Sequence, residues 1–436
     1  MASDDSSSSN SSPRRRVRIR MYRQGLGDCF LLTFHPDGKP THVLIDCGVI
    51  LGTPNAASGM QKVAEDIAKT TQGHLDILIA THEHWDHLSG FLQAKAAFQA
   101  LDVGAVWMGW TEDPADPVAR GLVRTREQAI TGLRLGMTRL KMAGDGDTAA
   151  DIDGLLGFFG ASGGTTADAL EVVRGLHGKP TYVRPQDPPR EVAEGVKAYV
   201  LGPPTDLKLL RKSTPSAGQS YGFDAVDVFA SDMAPALLGR EPEAPFDANR
   251  IIPRTIAETL PFFRERYLGP DDAWRSLDGA WLSNLADVAL KLDSDTNNTS
   301  VVVAFEIDGG DVLLFAADAQ IGSWLSWPTI SWKSGSGEVT GADLLARTLV
   351  YKVGHHGSHN ATLKPGGLET MKRLTYALLP VDAAMARKKR WGRMPLPEVV
   401  DELERRTEGR VIRIDADIPP AADKVTQDDL YFDLVL

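Results

Sequence analysis

The chain has 436 residues, enough for one large domain with insertions or for two domains. Its 42% apolar and 24% charged residues are ordinary for a soluble globular protein, and 47 basic against 58 acidic side chains give a formal charge of −11. That balance argues against a general affinity for nucleic acid, and only two cysteines, Cys29 and Cys47, exclude a disulfide framework and fit a reducing compartment.

Residues 1–13 are Ser-rich and read as a disordered tail. Ser6–Ser9 and Asn10–Ser12 stand where a secretory signal needs an apolar stretch, and no apolar run approaches the roughly 20 residues that span a bilayer. A cytoplasmic protein without membrane association is expected. Arg14, Arg15 and Arg16 read as a solvated flank, with a nucleic-acid arm as the alternative.

Strands are predicted over Val17–Tyr22, Phe30–Phe34 and Val43–Ile45, separated by Gly and Pro, and an amphipathic helix over Gln61–Thr70. Leu75–Ala80 is a short apolar strand suited to a sheet covered on both faces. Cys29 and Cys47, in strand-like surroundings, read as small buried hydrophobes. Arg120–Met142 and Ala167–Leu176 read as helices, and Thr181–Val183 and Ala198–Leu201 as strands. From Thr205 to about Asp293 the pattern is helical and irregular, as in Ile256–Tyr267 and Trp281–Leu292. Val301–Ile307 and Val312–Ala316 form a hairpin around Asp308-Gly309-Gly310-Asp311. Strands over Leu349–Val353, Leu378–Val381 and Arg410–Ile414 and a helix over Pro397–Arg406 complete a layered α/β architecture. Trp107, Trp110, Trp324, Trp327 and Trp332 read as core.

The chemistry concentrates in Thr81-His82-Glu83-His84-Trp85-Asp86-His87, directly after a buried strand. Neutral imidazole and carboxylate are ligands that suit zinc, manganese or iron. His82 and His84, one residue apart, can share one ion, and Asp86 and His87 can turn towards a second. A solvated polar loop is the bland alternative, and a chain with only ten histidines makes chance clustering improbable.

His82-x-His84-x-Asp86-His87 resembles the signature of the metallo-β-lactamase superfamily at all four positions. Partners follow in the family's order: Asp46 in Leu44-Ile45-Asp46-Cys47-Gly48, Asp318 after an apolar strand, and His355-His356-Gly357-Ser358. Gly25-Leu26-Gly27-Asp28-Cys29, Asn297-Asn298-Thr299-Ser300 and the His-His-Gly-Ser run resemble the hydrolase domain attached to bacterial DNA-uptake (competence) channels. The resemblance covers roughly residues 17–98, 181–204, 297–320 and 349–415.

It implies a four-layer αββα metallo-β-lactamase sandwich over residues 14–436, with a helical insertion over about 205–293. It also implies metal ligands His82, His84, Asp86, His87, Asp318 and one of His355 and His356, which spacing does not distinguish. Asp86, His355, His356 and Ser358 would serve catalysis, the second histidine and Ser358 facing substrate as acid or hydrogen-bond donor. Asp46 would hold the histidine loop. Asp28 would support it too, or simply bond its own backbone in a turn. Two divalent ions, zinc with manganese as the alternative, would lower the pKa of a water and polarise a phosphoryl or carbonyl oxygen.

Two departures stand out. The family's further metal-binding histidine has only His177 as a counterpart, and a histidine near a helix C-terminus also serves as a dipole partner. The branch's histidine before proline is absent from Trp391-Gly392-Arg393-Met394-Pro395. His359 reads as a surface residue, and Lys388, Lys389, Arg390 and Arg393 as solvated charge or a phosphate-facing patch. The expected activity is hydrolysis of a phosphodiester, nucleic acid or small. Hydrolysis of an ester, lactone or amide at the same site is one alternative, and a non-catalytic metal-binding interaction protein another.

Overall fold

Alternation along Val17–Tyr22 sends Val17, Ile19 and Met21 to one face, and the strands beside it do the same with Phe30, Leu32 and Phe34 and with Val43 and Ile45. The computed structural model describes residues 16–212, 252, 254–267, 269 and 285–436, apart from 36–37, 143, 162–163, 335–336, 361, 364–365, 390 and 392. The tail over 1–13, Arg14, Arg15, Arg390 and most of the insertion predicted over 205–293 lie outside the described residues.

The protein is mixed α/β with two large sheets. The first runs, edge to edge, Thr181–Val183, Val106–Gly109, Ile77–Ala80, Thr41–Cys47, Cys29–Phe34, Val17–Tyr22, Tyr431–Val435 and Val425–Gln427. The second runs Arg190–Ala193, Val196–Gly202, Val302–Ile307, Asp311–Phe315, Thr348–Lys352, Tyr376–Leu379 and Val411–Arg413. Each sheet has an antiparallel part and a parallel part, and the parallel parts begin at Thr41–Cys47 and Asp311–Phe315.

The inward residues of both sheets share one apolar cluster, in which Phe30 meets Phe315 and Phe34 meets Phe305 at ring separations of 5.5 Å. Each such buried phenyl contributes about 1.5–3 kcal/mol. A second cluster joins the outer face of the first sheet (Leu31, Leu44, Leu78) to the helices Ala56–Thr70, Trp85–Gln93 and Thr166–Gly175. A third joins the outer face of the second sheet (Leu314, Tyr351, Leu379) to Pro117–Met142, Gly146–Leu156, Leu285–Asn297 and Pro397–Thr407.

Several elements differ from expectation. The strand predicted over Leu75–Ala80 is divided at Asp76, whose Oδ2 accepts from the backbone N–H of His42 at 2.7 Å. The helix expected over Ile256–Tyr267 is two short ones, Arg254–Ala257 and Pro261–Arg266, because Pro261 cannot continue a helix. Gly146–Leu156 and the C-terminal hairpin were not foreseen. The five tryptophans expected in the core are buried. Cys29 and Cys47 are free and buried, opposite one another in neighbouring strands. Among the described residues no helix is long and apolar enough to cross a membrane.

Candidate metal centre

The carboxyl ends of four strands converge, the usual location for ligands in parallel sheets. Thr41–Cys47 delivers Asp46 and Ile77–Ala80 delivers Thr81–His87. Asp311–Phe315 delivers Asp318, and Thr348–Lys352 delivers His355 and His356. His84 precedes the helix Trp85–Gln93, so Asp86 lies in its first turn, where a carboxylate suits the helix dipole. Two glycines let the loops pack beneath Asp86. A Cβ on Gly27 would stand 2.5 Å from the Asp86 carbonyl oxygen, and one on Gly48 2.4 Å from its carbonyl carbon.

Asp46 takes φ 55° at the end of its strand, and this turns its carboxylate onto the histidine loop. Its Oδ1 accepts from the Thr81 N–H at 2.8 Å and its Oδ2 from the Thr81 hydroxyl at 2.6 Å. His87 Nδ1 lies 2.7 Å from the same Oδ2. That contact leaves His87 Nε2 facing the centre, 3.2 Å from Asp318 Oδ2. His356 mirrors it: Nδ1 donates to the Pro380 carbonyl at 2.8 Å, while Nε2 lies 2.9 Å from Asp86 Oδ2 and 3.4 Å from Asp318 Oδ2. His82 places Nδ1 3.0 Å from the Thr81 hydroxyl and Nε2 3.0 Å from His84 Nδ1.

Asp28 is buried in this cluster, with Oδ2 2.5 Å from Lys352 Nζ, and Lys352 also reaches the Ala317 carbonyl at 2.7 Å and Asp318 at 3.3 Å. Asp28, His87, Asp318 and His356 each offer a ligand atom within 4.8 Å of the others, and this group could hold a metal ion. Several inward atoms are fully buried without a hydrogen-bond partner: Asp28 Oδ1, Asp86 Oδ1, His87 Nε2 and Asp318 Oδ2; behind them, His84 Nε2 and Asp293 Oδ1 are buried without one as well. Buried polar atoms are rarely left so, and a cation is the partner that imidazole and carboxylate together would accept. The residues present therefore fit a divalent ion.

Burial holds His82 well below the usual imidazole range and brings His84 down to about 3 and His355 to about 4. Burial opposes charge on His356 as well, but Asp318 and Asp86 outweigh it and hold this ring at about 10. His87 is likewise raised, by Asp318, Asp28, Asp86 and Asp46 against burial. Asp318 is held well below the carboxylate range despite burial, by His87, His356 and Lys352. Asp293 goes the other way, raised by burial and then by Asp86 and Asp318.

A consequence is measurable on protein stripped of metal. His356 titrates near 10 when folded against roughly 6.5 unfolded, so the stability its proton supplies is complete below about pH 6.5 and is lost as pH rises towards 10. Stripped protein should therefore unfold at lower urea at about pH 9.5 than at about pH 6.5. Metal ligation requires neutral imidazole, so loading at neutral pH should expel about two protons, from His356 and His87. Calorimetry in buffers of different ionisation enthalpy counts them, and a release near zero would contradict protonation of both rings in the metal-free protein.

His355 stands apart from the carboxylates. Ser358 donates to Asn360 Oδ1 at 3.0 Å and so accepts from His355 Nδ1 at 2.7 Å, and the Asn297 amide lies 3.4 Å from His355 Nε2. Two residues of the Asn297–Ser300 motif brace this region. Asn298 Oδ1 accepts from the Gln320 N–H at 3.1 Å, and Ser300 Oγ from the Asp318 N–H at 3.2 Å. His355 and His356 both hold positive φ, 41° and 50°, a local strain common at functional sites. His177 lies elsewhere, with Nδ1 2.9 Å from the Val103 carbonyl, and His359 is exposed.

Of the basic cluster, Lys388 is exposed and Arg393 pairs with Glu398 at 2.9 Å. Lys389 is half-buried, its Nζ 3.7 Å from the Cβ position of Gly157 and 3.5 Å from that of Gly52. Gly157 begins the turn that lays Phe158 and Phe159 against the His84 ring, at 5.1 and 5.0 Å.

Sequence reasoning gave no role to Lys352, Asp293, Asn297 or Gln320. A lysine within the apolar strand Thr348–Lys352, and two polar residues four apart on one helix face at 293 and 297, were the available signals. It also passed over Glu83, which turns away from the centre. Its carboxylate binds the Arg126 guanidinium and accepts from the Thr166 hydroxyl at 2.9 Å, and Arg126 meets Glu112 at 3.2 Å. Arg126→Ala would leave the buried Glu83 carboxylate without its cation and Glu112 with only Arg174, at 3.8 Å, and should destabilise the protein by about 3–5 kcal/mol in denaturant titration. A change below about 1 kcal/mol would show the network to be solvated.

Compared with protein-family models and with curated proteins, the chain matches none.

Proposed function

We propose that the protein is a metal-dependent hydrolase of the metallo-β-lactamase superfamily, of the competence type, acting on a phosphodiester. The observation that carries this reading is the convergence, at the ends of four strands, of buried histidines and aspartates whose inward atoms lack partners. Two facing sheets with helices on their outer faces agree with a four-layer αββα sandwich, with the site at one edge.

His82 and His84 would hold one divalent ion, and Asp86, His87, His356 and Asp318 a second, with Asp28 beside Lys352. Zinc fits this imidazole and carboxylate set, and manganese fits it less tightly. When bound, such ions activate water and stabilise charge developing on a phosphoryl oxygen. The chain's own residues do the rest. Thr81, Asp46 and Pro380 fix which ring nitrogen His82, His87 and His356 offer. His355, with its Nδ1–H held by Ser358, presents Nε2 as a proton acceptor beside Asn297. Lys389, near the turn that carries Phe158, supplies a cation for a substrate phosphate.

The test pairs metal content by plasma emission with hydrolysis of bis(p-nitrophenyl) phosphate, p-nitrophenyl acetate and nitrocefin. About two metals per chain with preferential diester cleavage is the expected result. Preferential cleavage of the acetate or of nitrocefin would move the assignment to ester or lactam hydrolysis. Protein that stays metal-free and inert in zinc or manganese would overturn the reading.

A further inference from the structure

Each of the four histidines assigned to the metal centre has an inward nitrogen and an outward one, and in three of them the outward nitrogen has a partner. His82 uses the Thr81 hydroxyl, His87 the Asp46 carboxylate and His356 the Pro380 carbonyl. The fourth is His84. Its Nδ1 faces His82 Nε2 at 3.0 Å, and its Nε2 is fully buried with no hydrogen-bond partner. Phe158 and Phe159 pack against this ring.

Among the described residues the carboxylate nearest that Nε2 is Asp293, with Oδ1 3.8 Å away. Asp293 is itself 6% exposed. Its Oδ2 accepts from the Asn297 amide at 3.2 Å, one turn further along the helix Leu285–Asn297, and its Oδ1 has no partner. Two complementary atoms, each buried and each lacking a partner, thus lie 3.8 Å apart. The helix is fixed from behind, since Leu285 lies where a Cβ on Gly136 would have to go, 2.5 Å from its Cδ1.

We propose that Asp293 is the positioning carboxylate of His84: its Oδ1 accepts the His84 Nε2 proton and so leaves Nδ1 bare towards the ion shared with His82. The assignment rests on the metal-centre reading and extends it to Asp293, a residue that the sequence resemblance does not cover. It gives each of the four imidazoles a partner that fixes its tautomer, an arrangement that sustains metal affinity. Asp293 acts through His84 and is not placed on substrate.

The test uses the full chain, as wild type, Asp293→Ala and Asp293→Asn, with zinc affinity measured by chelator competition. Asparagine keeps an oxygen acceptor in the same place. Asp293→Ala should weaken one of the two zinc ions by about 10–100-fold and leave the other unchanged, and Asp293→Asn should recover most of that loss. Imidazole 15N shifts give a readout that general loosening would not reproduce. His84 should be protonated at Nε2 in the wild type and in Asp293→Asn, and should be a tautomer mixture in Asp293→Ala. Two ions bound at wild-type affinity by Asp293→Ala, or an Asp293→Asn as weak as the alanine variant, would overturn the proposal and leave the metal centre standing. A wild type that binds no zinc would overturn both.

Discussion

Asp318→Ala should lower hydrolysis of bis(p-nitrophenyl) phosphate by about 10³-fold, the scale of losing several kcal/mol of transition-state charge stabilisation. The carboxylate is fully buried, and its two oxygens serve different neighbours. Oδ1 meets Lys352, while Oδ2 points between His87 and His356 at 3.2 and 3.4 Å. The two histidines come from different sheets, one following Ile77–Ala80 and the other Thr348–Lys352, so Asp318 is where both halves of the fold meet. Its backbone is held as well, by the Ser300 hydroxyl. Removing the carboxylate leaves His87, His356 and Lys352 facing one another with less negative charge between them, a field that disfavours a cation. Metal content should therefore fall together with turnover. A variant that keeps the wild-type metal content and stays within tenfold of wild-type turnover would remove Asp318 from the centre.

Much of this centre was legible because its parts are local. His82, His84, Asp86 and His87 lie close together in the chain just after a buried strand, and Asp46, Asp318 and His355-His356 each end a strand whose apolar pattern shows in the sequence. Spacing could not separate His355 from His356. That division depends on the positive-φ turn that sends one ring to Asp86 and the other to Ser358, which only the folded backbone determines. The same limit hid Lys352, a residue at the end of an apolar strand whose two carboxylate partners lie 324 residues before it, at Asp28, and 34 before it, at Asp318. Within the fold, long periodic helices such as Pro117–Met142 were recognisable to within a few residues. The C-terminal strand Tyr431–Val435 was not foreseen, because its place beside Val17–Tyr22 is a pairing across the whole chain.

His355→Ala should separate binding from chemistry. The ring is buried apart from 7% exposure and lies outside the four-residue group that could hold an ion, so the variant should keep its metal content. Burial brings His355 down to about 4, and it is therefore neutral at pH 7. With Nδ1–H committed to Ser358, the ring offers Nε2 as an acceptor, and under the proposed function it would act as a base or orient a donor of the substrate. Loss of a positioned proton acceptor commonly costs about 10²–10⁴-fold in turnover, and the effect should appear in kcat with little change in KM. Ser358→Ala, which frees the ring to rotate and to exchange tautomers but leaves it in place, should cost about tenfold. Turnover of both variants, measured beside metal content, decides between two outcomes. Intact metal with slow chemistry places His355 against the substrate, whereas parallel loss of metal and activity makes it a ligand and returns the division of labour between His355 and His356 to the metal site.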